Sequence, residues 1–92
     1  MIKSFKHKGL QAFFETGSKA GIQPHHAIKL RVLLTALNNA EHPNDMNAPN
    51  WNMHPLKGEL AEHYAVTVNG NWRITFTFKG NNTELIDYLD YH

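Results

Sequence analysis

An α+β domain, two N-terminal helices packed on a small antiparallel β-sheet, is predicted by three features of the sequence. Apolar residues recur at helical spacing up to Ala40, they alternate with polar ones from Tyr64 onward, and glycine–asparagine turns punctuate the alternating part. Ninety-two residues make one domain, 1–92, because a chain of this size buries only roughly 60 to 65% of its unfolded surface. Neither a repeat, a low-complexity stretch nor a linker divides it.

Taken in order, Ile2 to Phe5 reads as a short strand. Leu10, Phe13 and Phe14 then fall on one helical face before Gly17 stops the run. After the Gly21-Ile22-Gln23-Pro24 break, Ala27, Leu30, Leu33, Leu34, Leu37 and Ala40 mark the apolar face of a second helix, with Lys29, Arg31, Thr35 and Asn38 largely opposite. Glu41 to Asn52 is rich in Asn and Pro and reads as a loop. From His63 the period becomes two: Tyr64, Val66 and Val68 lead to a tight turn at Asn69-Gly70. Trp72, Ile74, Phe76 and Phe78 carry the apolar face onward, with Arg73, Thr75, Thr77 and Lys79 on the other. A turn at Lys79-Gly80-Asn81-Asn82 opens the last strand of a three- or four-stranded meander.

Composition excludes several functions. Without cysteine there is no disulfide framework, thiolate ligand or cysteine nucleophile. The opening residues lack the apolar run of a signal peptide, and no segment approaches the ~20 apolar residues that span a bilayer, so a soluble cytoplasmic protein with no membrane contact is expected. The net charge of +1 hides an asymmetry: Lys3, Lys6, Lys8, Lys19, Lys29 and Arg31 precede Ala40, against the single acid Glu15. Such a basic half either attracts phosphates or an acidic partner, or is an ordinary solvated surface.

Seven histidines raise the question of a metal. Their spacing answers against one, since no His-Glu-x-x-His is present and the adjacent His25 and His26 diverge on a helix start. No metal or other cofactor is expected. Solvated rings are the ordinary reading for His7, His25, His26, His42 and His63. His54 differs, because Met53-His54-Pro55-Leu56-Lys57-Gly58 is an extended, turn-bounded segment just before the sheet; turn capping and a functional role both stand. Lys57 is a surface lysine by default. Arg73 projects from the polar face, where it either forks onto a phosphate or pairs with Asp87 or Asp90. Parity places Asp90 and His92 on one face of the last strand and Tyr91 on the other.

Two histidines, an acid, a lysine and an arginine suffice for RNA phosphodiester cleavage without metal or thiol. The 2′-hydroxyl is an internal nucleophile, so the protein need only take its proton, protonate the leaving 5′-oxygen and stabilise the phosphorane charge. A tyrosine such as Tyr91 can stack on an exposed base, or simply pack.

These residues bring the chain close to a known family. Met1 to Leu10, the His-Pro-Leu-Lys-Gly segment His54–Gly58, the strand Asn71-Trp72-Arg73-Ile74-Thr75-Phe76 and the terminal Asp90-Tyr91-His92 resemble the HigB toxins of the RelE-like ribonuclease superfamily, in the family's order. The middle helix and the Asn-rich loop match least, and Met53 stands where the family usually has Leu. The resemblance implies the RelE-like microbial ribonuclease fold and a toxin that cleaves messenger RNA in the ribosomal decoding site. It also implies silencing by a HigA-type helix-turn-helix antitoxin, through which alone operator DNA would be reached. On this resemblance His54 and His92 are the acid–base pair, Asp90 orients or assists them, Tyr91 positions a base, and Lys57 with Arg73 stabilises the scissile phosphate. The basic N-terminal half would then dock on ribosomal RNA. Two other readings fit the same pattern: a ParE-type toxin that inhibits DNA gyrase from the same fold, and a non-catalytic module that binds RNA or the antitoxin.

Overall fold

In the computed structural model, which describes residues 1–90, helices α1 (Lys8–Thr16) and α2 (Ala27–Asn39) pack with one face of an antiparallel sheet. Its strands β1 (His54–Pro55), β2 (His63–Asn69), β3 (Trp72–Lys79) and β4 (Asn82–Asp90) pair in chain order. Helix α1 starts and stops for local reasons. The Nδ1 of His7 accepts the Leu10 N–H at 2.9 Å at the start of α1, and Gly17 ends it in the left-handed region at φ 82°, its N–H returning to the Phe13 carbonyl. A 3₁₀ turn at Pro24–His26, with proline at its first position, feeds α2. Between the helices the backbone comes so close to itself that a Cβ on Gly9 would stand 2.5 Å from the Gly21 carbonyl oxygen, and one on Gly21 would stand 2.5 Å from the Gly9 Cα.

Leu30, Leu33, Leu34 and Leu37 of α2 form one cluster with Leu10 and Phe13 of α1 and with Val66, Ile74, Phe76 and Ile86 of the sheet. Each fully buried aliphatic or aromatic side chain contributes roughly 1.5–3 kcal/mol, so this layer dominates the stability. The loop expected at 41–52 contains a 3₁₀ turn, Pro43–Met46, capped reciprocally by His42 and Asp45; its Met46 is fully buried. The hairpin loops are Gly70-Asn71 and Gly80-Asn81, one residue later than Asn69-Gly70 in the first case. Each places glycine first with positive φ, 54° and 61°, as two-residue hairpins of type II′ require.

The expected Ile2–Phe5 strand is instead a pair of isolated parallel bridges, Ile2 to Thr83 and Phe5 to Ile86, along the free edge of β4. The reason is a bulge. Between Thr77 and Thr75 of β3, β4 inserts one extra residue; Leu85 turns to φ 55°, and its N–H goes to the Ser4 hydroxyl at 2.9 Å rather than to a main-chain carbonyl. The bulge lets Thr83 as well as Ile86 and Tyr88 be buried, and the Thr83 hydroxyl donates to the Leu37 carbonyl at the end of α2.

His26 is not solvated, contrary to expectation. Its ring is buried, edge-on to Trp72, with Nδ1 2.6 Å from the Tyr88 hydroxyl, which in turn accepts the Gln23 N–H. Burial, aided by the neighbouring His25, lowers the pKa of His26 below 6.5, and burial raises that of Tyr88.

Two predictions follow from this packing. Gly21→Ala is expected to lower unfolding free energy by about 1–3 kcal/mol, because two backbones must part; an unchanged urea midpoint would show that they part freely. His26 gives a pH dependence. Below pH 6.5 the unfolded chain binds a proton that the folded chain refuses, so the stability present at neutral pH declines as pH falls from 6.5 toward the depressed folded value. Urea titrations between pH 7.5 and about 5.5 are expected to show that slope in the wild type and a shallower one in His26→Asn; parallel slopes would assign the decline elsewhere.

Candidate functional site

Cross-strand partners share a face of a sheet, so the registers assemble the outward surface directly. His54, Ala65, Thr75 and Asp87 form one row across β1 to β4, and Thr67, Arg73 and Leu89 form the next. All lie on the pleat opposite Tyr64, Val66, Ile74, Phe76 and Tyr88, which meet the helices. His54 and Arg73 are thus two inter-strand spacings apart across the sheet and two residues apart along it, about 12 Å between their backbone positions. Only Ala65, Thr67 and Thr75 lie between them, Ala65 and Thr75 themselves buried among their neighbours, giving a low, closely shielded floor with a histidine on one side and an arginine on the other.

His54 is exposed but not loosely held. Its Nδ1 stands 2.7 Å from the Asn52 carbonyl oxygen. A carbonyl only accepts, so Nδ1 carries the hydrogen; in the neutral ring Nε2 then presents its lone pair, and in the protonated ring it presents a proton. Asn52 reaches this position from the left-handed region, φ 53°, as does Asn50 at φ 70°. The turn is pinned to β2 by the Thr67 N–H donating to the Trp51 carbonyl at 2.8 Å and by the Asn52 side-chain amide donating to the Thr67 hydroxyl at 3.4 Å. Trp51 packs on the core with the Lys29 ammonium 5.4 Å from its ring centre.

Arg73 donates from Nη1 to the Gly70 carbonyl at 2.6 Å and to the Trp72 carbonyl at 3.1 Å. Among the described residues its hydrogen-bond partners are these main-chain oxygens. Asp87, one of the acids considered for it, accepts the Tyr88 N–H. Lys57 is exposed just beyond β1, at the entry to the 3₁₀ turn Gly58–Leu60. Asp90 is exposed at the end of β4 opposite Trp72, which assigns it by pleat to the other set from Arg73, at the rim of the sheet. Tyr91 and His92 lie outside the described residues.

The structure therefore brings His54 and Arg73 to one face, with Lys57 near the His54 edge. Two contributors escaped the reading of the sequence. Asn52, which fixes the His54 ring, was signalled only by the asparagine richness of its loop, asparagine being a residue that tolerates the left-handed region. His63 sits on β2 opposite Thr77 on this same face, half-buried, its Nε2 without a hydrogen-bond partner among the described residues.

Comparison with known proteins agrees with the fold and the motif order. The family model for the RelE-like toxin HigB of type II toxin–antitoxin systems matches residues 3–92. An endoribonuclease HigB from Proteus vulgaris is 39% identical over 92 residues, covering the whole of both chains. Among solved structures, a YafQ variant from E. coli aligns with a TM-score of 0.63 at 18% identity, covering 96% of this chain and 89% of that one. YoeB in its complex with YefM from Staphylococcus aureus aligns with a TM-score of 0.64 at 19% identity, covering 100% and 95%. With the family model matching almost end to end and a relative at this identity over its full length, the chain belongs to the HigB-like family of RelE-like toxins of type II toxin–antitoxin systems.

Proposed function

We propose that this HigB-like endoribonuclease toxin cleaves messenger RNA held in the decoding site of the ribosome, by metal-independent acid–base catalysis over the outward face of its sheet and the rim where β4 ends, and so halts translation. The observation that carries the reading is the His54 ring, locked through Nδ1 onto the Asn52 carbonyl with Arg73 about 12 Å away across small residues. A fixed tautomer with an exposed Nε2 is what a proton-transfer group needs, and a phosphate lying over the floor can meet both side chains. In the reaction a base takes the proton of the 2′-hydroxyl, and the 2′-oxygen attacks phosphorus. The bond to the 5′-oxygen breaks and an acid protonates that oxygen, leaving a 2′,3′-cyclic phosphate on the upstream fragment. His54 takes one of these proton roles and His92 the other, with Asp90 assisting at the rim. Arg73 and Lys57 stabilise the negative charge that grows on the phosphoryl oxygens, and Tyr91 positions a base. The roles of His92, Asp90 and Tyr91 rest on the family resemblance.

The same reading assigns two partners, in the cytoplasm where ribosomes work. Exposed Lys3, Lys6 and Lys8 flank the segment that runs along β4, a basic strip suited to ribosomal RNA phosphates. A HigA-type helix-turn-helix antitoxin silences the toxin and carries the complex to operator DNA; the antitoxin-bound state of the structurally similar YoeB supports a partner of that kind.

Mapping 5′ ends on message bound to translating ribosomes tests the proposal. New cuts in decoding-site codons are expected with the wild type, reduced by about 10²–10⁴ in His54→Ala and in His92→Gln, with melting curves unchanged. Near-wild-type cleavage by either variant removes that residue from the chemistry, and toxicity without cuts would point to gyrase instead. Arg73→Gln is expected to slow single-turnover cleavage by about 10²-fold while message binding changes much less; equal losses in both would make Arg73 a binding residue only.

A further inference from the structure

On the side of the molecule away from the outward sheet face, α2 leaves apolar surface uncovered. Ile28 is 83% exposed and Val32 is 48% exposed, one helical turn apart, and Thr35 continues the line at the next. Phe14 of α1, 38% exposed, lies beside them through a shared groove: Arg31 and Thr35 line both the hollow bounded by Ile28 and Val32 and the one bounded by Phe13, Phe14 and Leu34. Single exposed apolar residues are common, but a continuous stripe built from two helices is not.

We propose, resting on the toxin–antitoxin reading, that this stripe seats an amphipathic helix of the antitoxin, one with an apolar ridge flanked by aspartate and glutamate. Ile28, Val32 and Thr35, at successive turns of one face of α2, run parallel to the helix axis, so that a partner helix can lie along them. Charge selects the occupant. No acid occurs anywhere in α2, whereas Arg31 lines both hollows, its guanidinium carbon 5.4 Å from the Phe13 ring centre, and Lys29, whose ammonium lies over Trp51, adds a second positive charge on the same helix. The neighbouring acid on α1, Glu15, already accepts the Gln11 side-chain amide. A second copy of this chain fits poorly, because a two-fold contact through the stripe would set Arg31 against its own image with no acid of α2 to offset it. RNA fits poorly as well, since Ile28 and Val32 offer phosphates nothing.

The test is affinity for the full-length HigA-type antitoxin co-expressed with this chain, measured by titration calorimetry after separating and refolding the pair. Ile28→Asp is expected to weaken association at least tenfold, and Ile28→Asp with Val32→Asp more than a hundredfold. Wild-type affinity should fall as salt rises, while thermal melting and cleavage of ribosome-bound message stay at wild-type levels in both variants. Because Asp adds charge as well as removing apolar surface, Ile28→Ser with Val32→Ser is included and is expected to lose at least tenfold. Wild-type affinity in the double Asp variant overturns the proposal. So does loss of self-association, or of ribosome co-sedimentation, with antitoxin affinity intact, which would name a second copy or the ribosome as occupant. A wild type that does not bind the antitoxin overturns it too. If the variants lose the antitoxin but the wild type cuts no message, the docking site stands and the ribosome-dependent nuclease reading fails.

Discussion

Covering the sheet on one side only is the constraint on which everything else depends. The leucines of α2 take up the side chains of one pleat, Val66, Ile74, Phe76 and Ile86, and leave the alternate pleat for His54, Arg73 and the small residues between them. Because side chains alternate with period two, a slip of one residue would bury Arg73 and expose Ile74. Register is therefore a functional quantity here. Three features hold it: the glycines at Gly70 and Gly80, whose positive φ fixes the length of each hairpin, the Leu85 bulge, and the Ser4 hydroxyl that satisfies the bulge's N–H. Through the last of these, the first residues of the chain set the alignment of its final strand.

Local patterns were legible and non-local ones were not. The leucine spacing gave α2 to within a residue, and the alternation from Tyr64 gave the strands and assigned Arg73 to the outward face. What stayed hidden depends on contacts between distant residues. Ile2 and Phe5 have the composition of a strand, but whether they form a ladder is decided by how β4 bends at Leu85, some eighty positions on. His26 reads as solvated because the Tyr88 hydroxyl that makes its burial tolerable is 62 residues away. Ala65 and Thr75 carry no signal of a site; they matter because the register sets them between His54 and Asp87. For His54 the extended segment was legible, but not the hold of Asn52, which needs a backbone angle that sequence only hints at.

The arrangement also separates stability from chemistry. His26, Trp72 and Tyr88 form a closed polar and aromatic cluster under the sheet, where a neutral imidazole is what the fold requires. His54 stands on the edge strand β1, only two residues long, fixed by a loop turn rather than by the core. Changes at one imidazole should therefore leave the other's environment intact, which allows a kinetic loss at His54 to be read as chemistry instead of unfolding.

Why His54 rather than another histidine follows from what each Nδ1 meets. At His7 and His42 it accepts a main-chain N–H, from Leu10 and Asn44, so it must be bare, and the ring's one hydrogen sits on Nε2. At His26 Nδ1 meets the Tyr88 hydroxyl, which can donate to it or accept from it, and the ring is buried. Protonating His7 or His42 removes a bond that the fold uses, and burial opposes a charge on His26, so none of the three is suited to gain and lose a proton in each turnover. At His54 and His63 Nδ1 faces a carbonyl instead, at 2.7 and 3.4 Å, and that contact survives in both charge states. The Nε2 of His63 is buried. Among the described histidines for which a partner is recorded, His54 alone combines a carbonyl-held Nδ1 with an exposed ring, so it can change its charge at Nε2 without disturbing the backbone that positions it.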